Sequence, residues 1–347
     1  MIKCPTVLCL SLALFISAAA GVVINGTGAR VMREMRRSQQ LARNASPALI
    51  EEGFISAADG ARLFYQKAGS GSRTIIVPGR LFLFEHLKPL ADKYTLISYD
   101  MRNRGRSDSV ADGSRITIQN DIKDLESVRL HFGVKKFGLI GYSYLGMMVM
   151  LYTIEHPQHV ERIVQLGPVP LIFPTEYPAH LTASGTDTGV DPAAVEKLKK
   201  LEEQGSDKAN PKEFCEAAWA VNRYRLVGNP RNVEGLGKGL CDMPNEWPVN
   251  FRRHLQHHFA SVQKLNNSWE TVARVSQPVL TIHGTKDRNA PYGAGREWAS
   301  RLPSARLLTV KDAAHQSFAE YPDVVLTALR SFFAGKWPSR AEKVAAI

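Results

Sequence analysis

The sequence predicts an α/β fold, a mostly parallel, doubly wound sheet with a helical cap inserted between two of its strands. Short apolar runs alternate with helical patterns along much of the chain, as in parallel sheets that are covered on both faces. The alternation stops between residues 172 and 275, where helix starts replace strand signals. The 347 residues, 44% of them hydrophobic, suffice for one large core with such an insertion.

The elements of the predicted core follow in order from residue 53. Residues 54–57 and 63–67 flank the turn Asp59-Gly60, which indicates a hairpin. A helix is predicted over residues 118–132, ended by Gly133. A second helix should follow Ser143 and end before Pro157. Short apolar runs typical of strands occupy residues 74–77, 94–99, 137–140, 162–166, 279–283 and 307–310.

The interval from residue 172 to 275 has clear helix starts. Proline follows a residue at the helix boundary in Asp191-Pro192, Asn210-Pro211 and Trp247-Pro248. We therefore expect a helical cap at 172–275, between core segments at 51–171 and 276–335.

The first residues are typical of an export signal. Lys3 precedes the apolar run 7–16, and Ala18-Ala19-Ala20 offers a small-residue cleavage site. We expect a cleaved signal at 1–20, a basic lead-in at 21–50, a secreted or extracytoplasmic protein and no stable membrane span after cleavage. The alternative is an uncleaved membrane anchor, because the apolar stretch 6–24 is just long enough to span. The arginines that follow complicate both interpretations, since positive charge after an apolar run resists translocation.

The charge of the chain limits the kinds of partner to be expected, and its cysteines suggest a disulfide. The net charge is +11, but acidic and basic residues nearly balance over 172–275, and no recognition motif points to nucleic acid. We expect a small-molecule or short-peptide substrate and no nucleic acid.

Only Cys215 and Cys241 remain after signal cleavage, and in an exported protein they suggest one disulfide. Two buried free thiols are the alternative.

Ser143 lies where the apolar strand pattern gives way to a helix, in Gly141-Tyr142-Ser143-Tyr144-Leu145-Gly146. A serine on such a turn exposes its hydroxyl above a parallel sheet. A hydroxyl needs a base to become nucleophilic, and the base needs an orienting acid. Asp287 and His315 each follow a predicted strand, so the order serine, aspartate, histidine runs along the chain.

These motifs resemble the α/β-hydrolase fold superfamily, in the branch with a helical cap, over about residues 51–335. The segments TIIVPG at 74–79, YDMRNRGRSD at 99–108 and GYSYLG resemble its oxyanion strand, arginine-glycine turn and nucleophile elbow. The resemblance implies an oxyanion hole made by the N–H groups of Tyr144 and of Arg80 or Leu81. Tyr142 and Tyr144 flank the serine and are candidates for the substrate pocket. Two positions depart from the family pattern, Leu145 in place of a small residue and Pro78 in place of histidine.

The branch includes proline iminopeptidases, esterases, lactonases and cofactor-independent haloperoxidases, so the fold does not name a substrate. We expect a serine hydrolase that cleaves a small ester or amide through an acyl-enzyme. The alternatives are a proline iminopeptidase-type aminopeptidase and a non-catalytic ligand-binding relative. We expect no cofactor and no metal, and we interpret His254, His257 and His258 as a polar helix flank. Arg102, Arg104 and Arg106 are expected to be solvated.

Overall fold

The computed structural model describes residues 49–183, 189–265 and 267–345. The predicted signal at 1–20 and nearly all of the predicted lead-in at 21–50 lie outside the described residues. In the part of the chain that is described, none of the helices has the length and hydrophobicity needed to cross a membrane.

Within the described residues, eight strands form one sheet. In chain order they are β1 (Ile50–Ser56), β2 (Arg62–Ala68), β3 (Thr74–Pro78), β4 (Thr95–Tyr99), β5 (Phe137–Tyr142), β6 (Val160–Leu166), β7 (Val279–Gly284) and β8 (Ala305–Val310). Across the sheet the order is β1-β2-β4-β3-β5-β6-β7-β8. Strand β2 pairs antiparallel with β1 and β4, whereas every other pair is parallel. The predicted mostly parallel sheet is confirmed.

Helices cover both faces of this sheet. The helices of the described core are α1 (Arg80–Leu87), α2 (Ile118–His131), α3 (Tyr144–Glu155), α9 (Tyr292–Arg301), α10 (Ser317–Glu320) and α11 (Pro322–Phe333); those between β6 and β7 are α4 (Pro192–Glu203), α5 (Ser206–Ala209), α6 (Pro211–Asn222), α7 (Pro248–Gln263) and α8 (Trp269–Val272). Neighbouring strand residues point to opposite faces, so Leu139 packs in one buried cluster with α2 and α3 and Ile140 in another with α1 and α11. Both faces of the central strands are therefore buried, as the continuous apolar runs predict.

Every element described between β6 and β7 is helical. The three predicted helix starts are confirmed, because α4, α6 and α7 begin at Pro192, Pro211 and Pro248. Proline suits a first helical position, where its missing N–H would have no partner in the helix. A disulfide joins Cys215 of α6 to Cys241, with 5.7 Å between the Cα atoms. The proposed domain boundaries at 172 and 275 stay a prediction.

The helix α1 was not predicted. Its sequence, RLFLFEHL, is apolar without a clear helical period, and it directly follows Pro78-Gly79. Gly79 has φ of +83°, which lets the chain leave β3 and enter a helix within one residue. The carboxyl end of β3 therefore leads directly to the N-terminus of α1, at the place where the oxyanion loop was expected.

Candidate active site

Ser143 occupies the sharp turn between β5 and α3. Its backbone has φ of 57° and ψ of −125°, a strained conformation that costs a non-glycine residue about 1–3 kcal/mol. The Ser143 N–H donates to the Leu166 carbonyl at 2.9 Å, and the Gly146 N–H donates back to the Ser143 carbonyl at 3.0 Å. Glycine is required at position 141, because a Cβ there would collide with the Leu145 carbonyl. The turn leaves the Ser143 side chain on the wall of a cavity.

Asp287 lies in the loop after β7 and is fully buried. Its Oδ1 accepts hydrogen bonds from the N–H groups of Asn289 at 2.8 Å and Ala290 at 2.9 Å. Its Oδ2 lies 2.7 Å from His315 Nδ1 and 3.2 Å from His283 Nε2. Burial alone would raise the pKa of Asp287, but the charge of His315 and the hydrogen bonds from both histidines hold it well below its ordinary value. The carboxylate is thus ionised and oriented by four donors.

His315 lies in the loop after β8 and is 5% exposed. Because Nδ1 faces Asp287, this ring nitrogen carries the proton, and Nε2 is the ring nitrogen left to face a substrate. The imidazole also packs against the Tyr142 ring, with 4.7 Å between the ring centroids. His315 and Ser143 line the same cavity. The residues predicted as acid and base are therefore in hydrogen-bonding contact, and the base shares a cavity with the predicted nucleophile.

The backbone donors predicted for the oxyanion hole lie at two helix N-termini. Arg80 and Leu81 begin α1, and Tyr144 begins α3. Among the described residues, none of the three N–H groups takes part in a hydrogen bond. Leu81 and Tyr144 line the cavity together with Leu145, whose side chain packs against Gly79. Leu145 therefore fills the space between the two helix starts, which explains why a large residue is accepted there.

Two further residues hold the acid and base loops, and the sequence alone did not single them out. His283, at the end of β7, binds Asp287 and lies 3.0 Å from the Ala290 carbonyl. Glu320 accepts the Ala314 N–H at 2.7 Å through one oxygen and the N–H groups of Gly228 and Asn229 through the other. It therefore ties the residue next to His315 to the helical segment between β6 and β7. The position of His283, a polar residue at the end of a predicted strand, could have indicated its role. No feature of the sequence indicated a role for Glu320.

The cavity above Ser143 has a volume of about 590 Å³, within the range of small-molecule sites. Its floor comes from the carboxyl ends of the central strands, and its walls come from α1 and from the helices between β6 and β7. Predicted pocket residues Tyr142 and Tyr144 both line it. Burial raises the pKa of Tyr142 well above its ordinary value, so this phenol stays neutral. The apolar wall residues are Leu81, Phe82, Leu198, Phe214, Trp219, Leu240, Phe251, Leu255 and Phe259.

The arginines of residues 102–106 are not all solvated, which corrects the sequence-based expectation. Arg102 is 2% exposed and pairs with Asp124 at 2.6 Å. Arg104 is 7% exposed and forms two parallel hydrogen bonds with Glu246, at 2.8 and 2.7 Å. Burial alone would lower the pKa of Arg104, but Glu246 raises it above its ordinary value, so the guanidinium stays charged. Only Arg106 of the three is exposed.

The histidines of α7 are also different from the expected polar flank. His254 and His258 are fully buried with parallel rings, and His258 Nδ1 lies 3.3 Å from Asp121 Oδ2. The His258 ring packs against Tyr144, with 4.4 Å between centroids. Burial, with the charges of Arg104 and the neighbouring histidines, lowers the pKa of His254 to about 2. Within the described residues, no group of His, Cys, Asp or Glu could hold a metal ion.

Comparison with known proteins identifies the family of the chain. The chain is 25% identical over 276 residues to a proline iminopeptidase of Saccharolobus solfataricus, covering 72% of this chain and 80% of that one. It is 24% identical over 298 residues to a non-heme haloperoxidase of Rhodococcus erythropolis, covering 80% and 98%. Among solved structures, an esterase from Exiguobacterium antarcticum superposes with a TM-score of 0.61 at 18% identity, covering 82% and 100%. Residues 78–322 match the model of the alpha/beta hydrolase fold family, and the chain therefore belongs to that family.

Proposed function

We propose that this protein is a serine hydrolase that cleaves small esters or amides through a covalent acyl-enzyme. The observation that carries the proposal is the bond of 2.7 Å between His315 Nδ1 and buried Asp287, at a cavity that Ser143 also lines. An aspartate on Nδ1 fixes the tautomer in which Nε2 can accept a proton. A proline iminopeptidase and an esterase among the similar proteins support this class.

The proposed reaction has two halves. Ser143 Oγ attacks the substrate carbonyl carbon while His315 Nε2 takes the hydroxyl proton, and the carbonyl oxygen becomes an oxyanion. The N–H groups of Tyr144 and of Leu81 or Arg80 would stabilise that oxyanion, each contributing about 3 kcal/mol to the barrier reduction. His315 then returns the proton to the leaving alcohol or amine. Water, activated by the same imidazole, hydrolyses the acyl-serine and restores the free enzyme.

Replacement of Ser143 tests this mechanism. S143A should abolish hydrolysis of p-nitrophenyl acetate and covalent labelling by a fluorophosphonate probe. S127A, which removes an exposed hydroxyl on α2, is the matched control and should keep both. Undiminished hydrolysis by S143A would reject the assignment. Failure of the folded wild-type protein to react with the probe would favour the non-catalytic binding protein.

A proline iminopeptidase-type aminopeptidase is the second candidate. It is favoured by the similarity to the Saccharolobus protein, which extends over most of both chains. Such an activity requires a group in the cavity that holds the free amine of the substrate. A panel of short esters, long esters, lactones and aminoacyl arylamides, hydrolysed by unlabelled protein, separates the candidates once the probe has shown in a separate sample that the serine is reactive.

We also propose that the protein is exported. The charged start, apolar run and small residues of the first 20 positions support this, and a disulfide between Cys215 and Cys241 suits an oxidising compartment. Mass spectrometry of the protein from an extracytoplasmic fraction should find a chain that begins near Gly21. An intact N-terminus recovered with membranes would favour the anchored alternative.

A further inference from the structure

We propose that the cavity accepts an acyl group without a free amine, so that the substrates are esters of neutral, apolar carboxylic acids. This inference rests on the proposed function and names its substrate class. It follows from the charges of the cavity, whose buried carboxylates already have partners inside the protein.

Glu246 is the buried carboxylate on the cap side of the cavity. Its Oε1 accepts from Arg104 Nε at 2.8 Å and from the Gly105 N–H at 2.7 Å, and its Oε2 accepts from Arg104 Nη2 at 2.7 Å. The charge of Glu246 is thus neutralised by a guanidinium that is itself buried. An ammonium that approached Glu246 would also meet the positive charge of Arg104 beside it.

Asp100 is the buried carboxylate on the sheet side. It pairs with Arg80 Nη2 at 2.8 Å and accepts the Arg106 N–H at 2.9 Å through the same oxygen. The side chain of Arg80 is only 12% exposed. The charge of Asp100 is therefore also balanced by an arginine that solvent scarcely reaches.

The remaining charged groups of the lining are exposed and of mixed sign. Glu202 and Arg225 are both exposed, and Arg252 pairs with Asp207 at 3.1 Å. An exposed charge interacts weakly because water screens it. Together with the paired arginines, this leaves no net negative potential in the cavity to attract a cation.

The interior of the cavity is apolar. Aromatic and aliphatic side chains of α6 and α7, including Phe214, Trp219, Phe251 and Leu255, face the space above Ser143. Transfer of an ammonium ion into such surroundings without a counter-charge is strongly unfavourable. A neutral ring or chain of the same size gains from burial instead.

Two nearly isosteric esters test the inference. L-Proline methyl ester and methyl cyclopentanecarboxylate differ at one ring position, where a protonated nitrogen replaces CH₂. We would measure kcat/KM for both at pH 6, where the amine is charged, in a pH-stat. Each value is divided by the second-order rate constant for hydroxide-catalysed hydrolysis of that ester, which removes the intrinsic reactivity of the amino ester.

After this correction, the carbocyclic ester should have a kcat/KM at least 10-fold higher. An equal value, or a preference for the prolyl ester, would overturn the inference. So would a selective 10-fold loss of prolyl ester hydrolysis in E202Q, because Glu202 would then be an amine site. If the protein reacts with the fluorophosphonate but hydrolyses neither ester, the proposed apolar acyl group is also wrong. If the protein does not react with the probe, the serine hydrolase proposal itself is wrong.

Discussion

His254 should make the stability of this protein fall as the pH drops below 6.5. Its imidazole is fully buried in α7, and its pKa is lowered from 6.5 to about 2 by burial and then by the charges of Arg104, His258 and His257. Below pH 6.5 the unfolded chain binds a proton at this residue, but the folded chain does not. Acid therefore favours the unfolded state over the window from pH 6.5 down to about 2.

The size of the effect follows from the two pKa values. Between pH 7.5 and pH 5, the free energy of unfolding should decrease by about 2 kcal/mol through His254 alone, since each pH unit below 6.5 contributes about 1.4 kcal/mol. H254L removes the titrating group and keeps a side chain of similar size. Neither ring nitrogen has a hydrogen-bond partner among the described residues, so the substitution leaves no partner unpaired.

Urea unfolding, followed by tryptophan fluorescence at pH 7.5 and pH 5, measures this difference. H254L should lose about 2 kcal/mol less stability than the wild type over that interval. H257L is the matched control, because it makes the same substitution at a partly exposed position of the same helix. If wild type and H254L lose the same stability, His254 does not titrate as its surroundings dictate, and the reasoning is wrong.

Three further substitutions test how the site is held together. D287N should lower kcat about 10⁴-fold with little change in KM, because the amide favours the wrong tautomer of the histidine it faces. Steady-state kinetics on p-nitrophenyl acetate measure kcat and KM. A loss of kcat below 10-fold would contradict the role of Asp287. E320A should slow fluorophosphonate labelling about 10-fold while the folded protein keeps its circular dichroism spectrum, since Glu320 fixes the residue before the base; an unchanged labelling rate would make Glu320 merely structural. The free energy of unfolding in urea should be about 3.5 kcal/mol lower for the double variant C215S/C241S, the chain-entropy value for a loop of 26 residues. Equal stability of the wild-type protein with and without reductant would contradict this.

Local patterns in the sequence were sufficient for most of the fold. Buried strands such as β5 and β7 are short apolar runs with clear ends, and proline at the first position marked the starts of α4, α6 and α7. The helix α1 was missed because its apolar residues lack a helical period. The histidines of α7 were interpreted as a polar flank because no local signal in the sequence indicates what packs against a helix face.

The sequence by itself determined the α/β class and the order of the core elements, and it located Ser143, Asp287 and His315 after predicted strands, because each of these depends on a few neighbouring residues. Only the tertiary structure decided which charges meet. Arg104 and Glu246 are 142 positions apart, and their pairing depends on how the helices between β6 and β7 close over the sheet edge. Long-range pairing of this kind is set by packing, which leaves no periodic trace in the sequence.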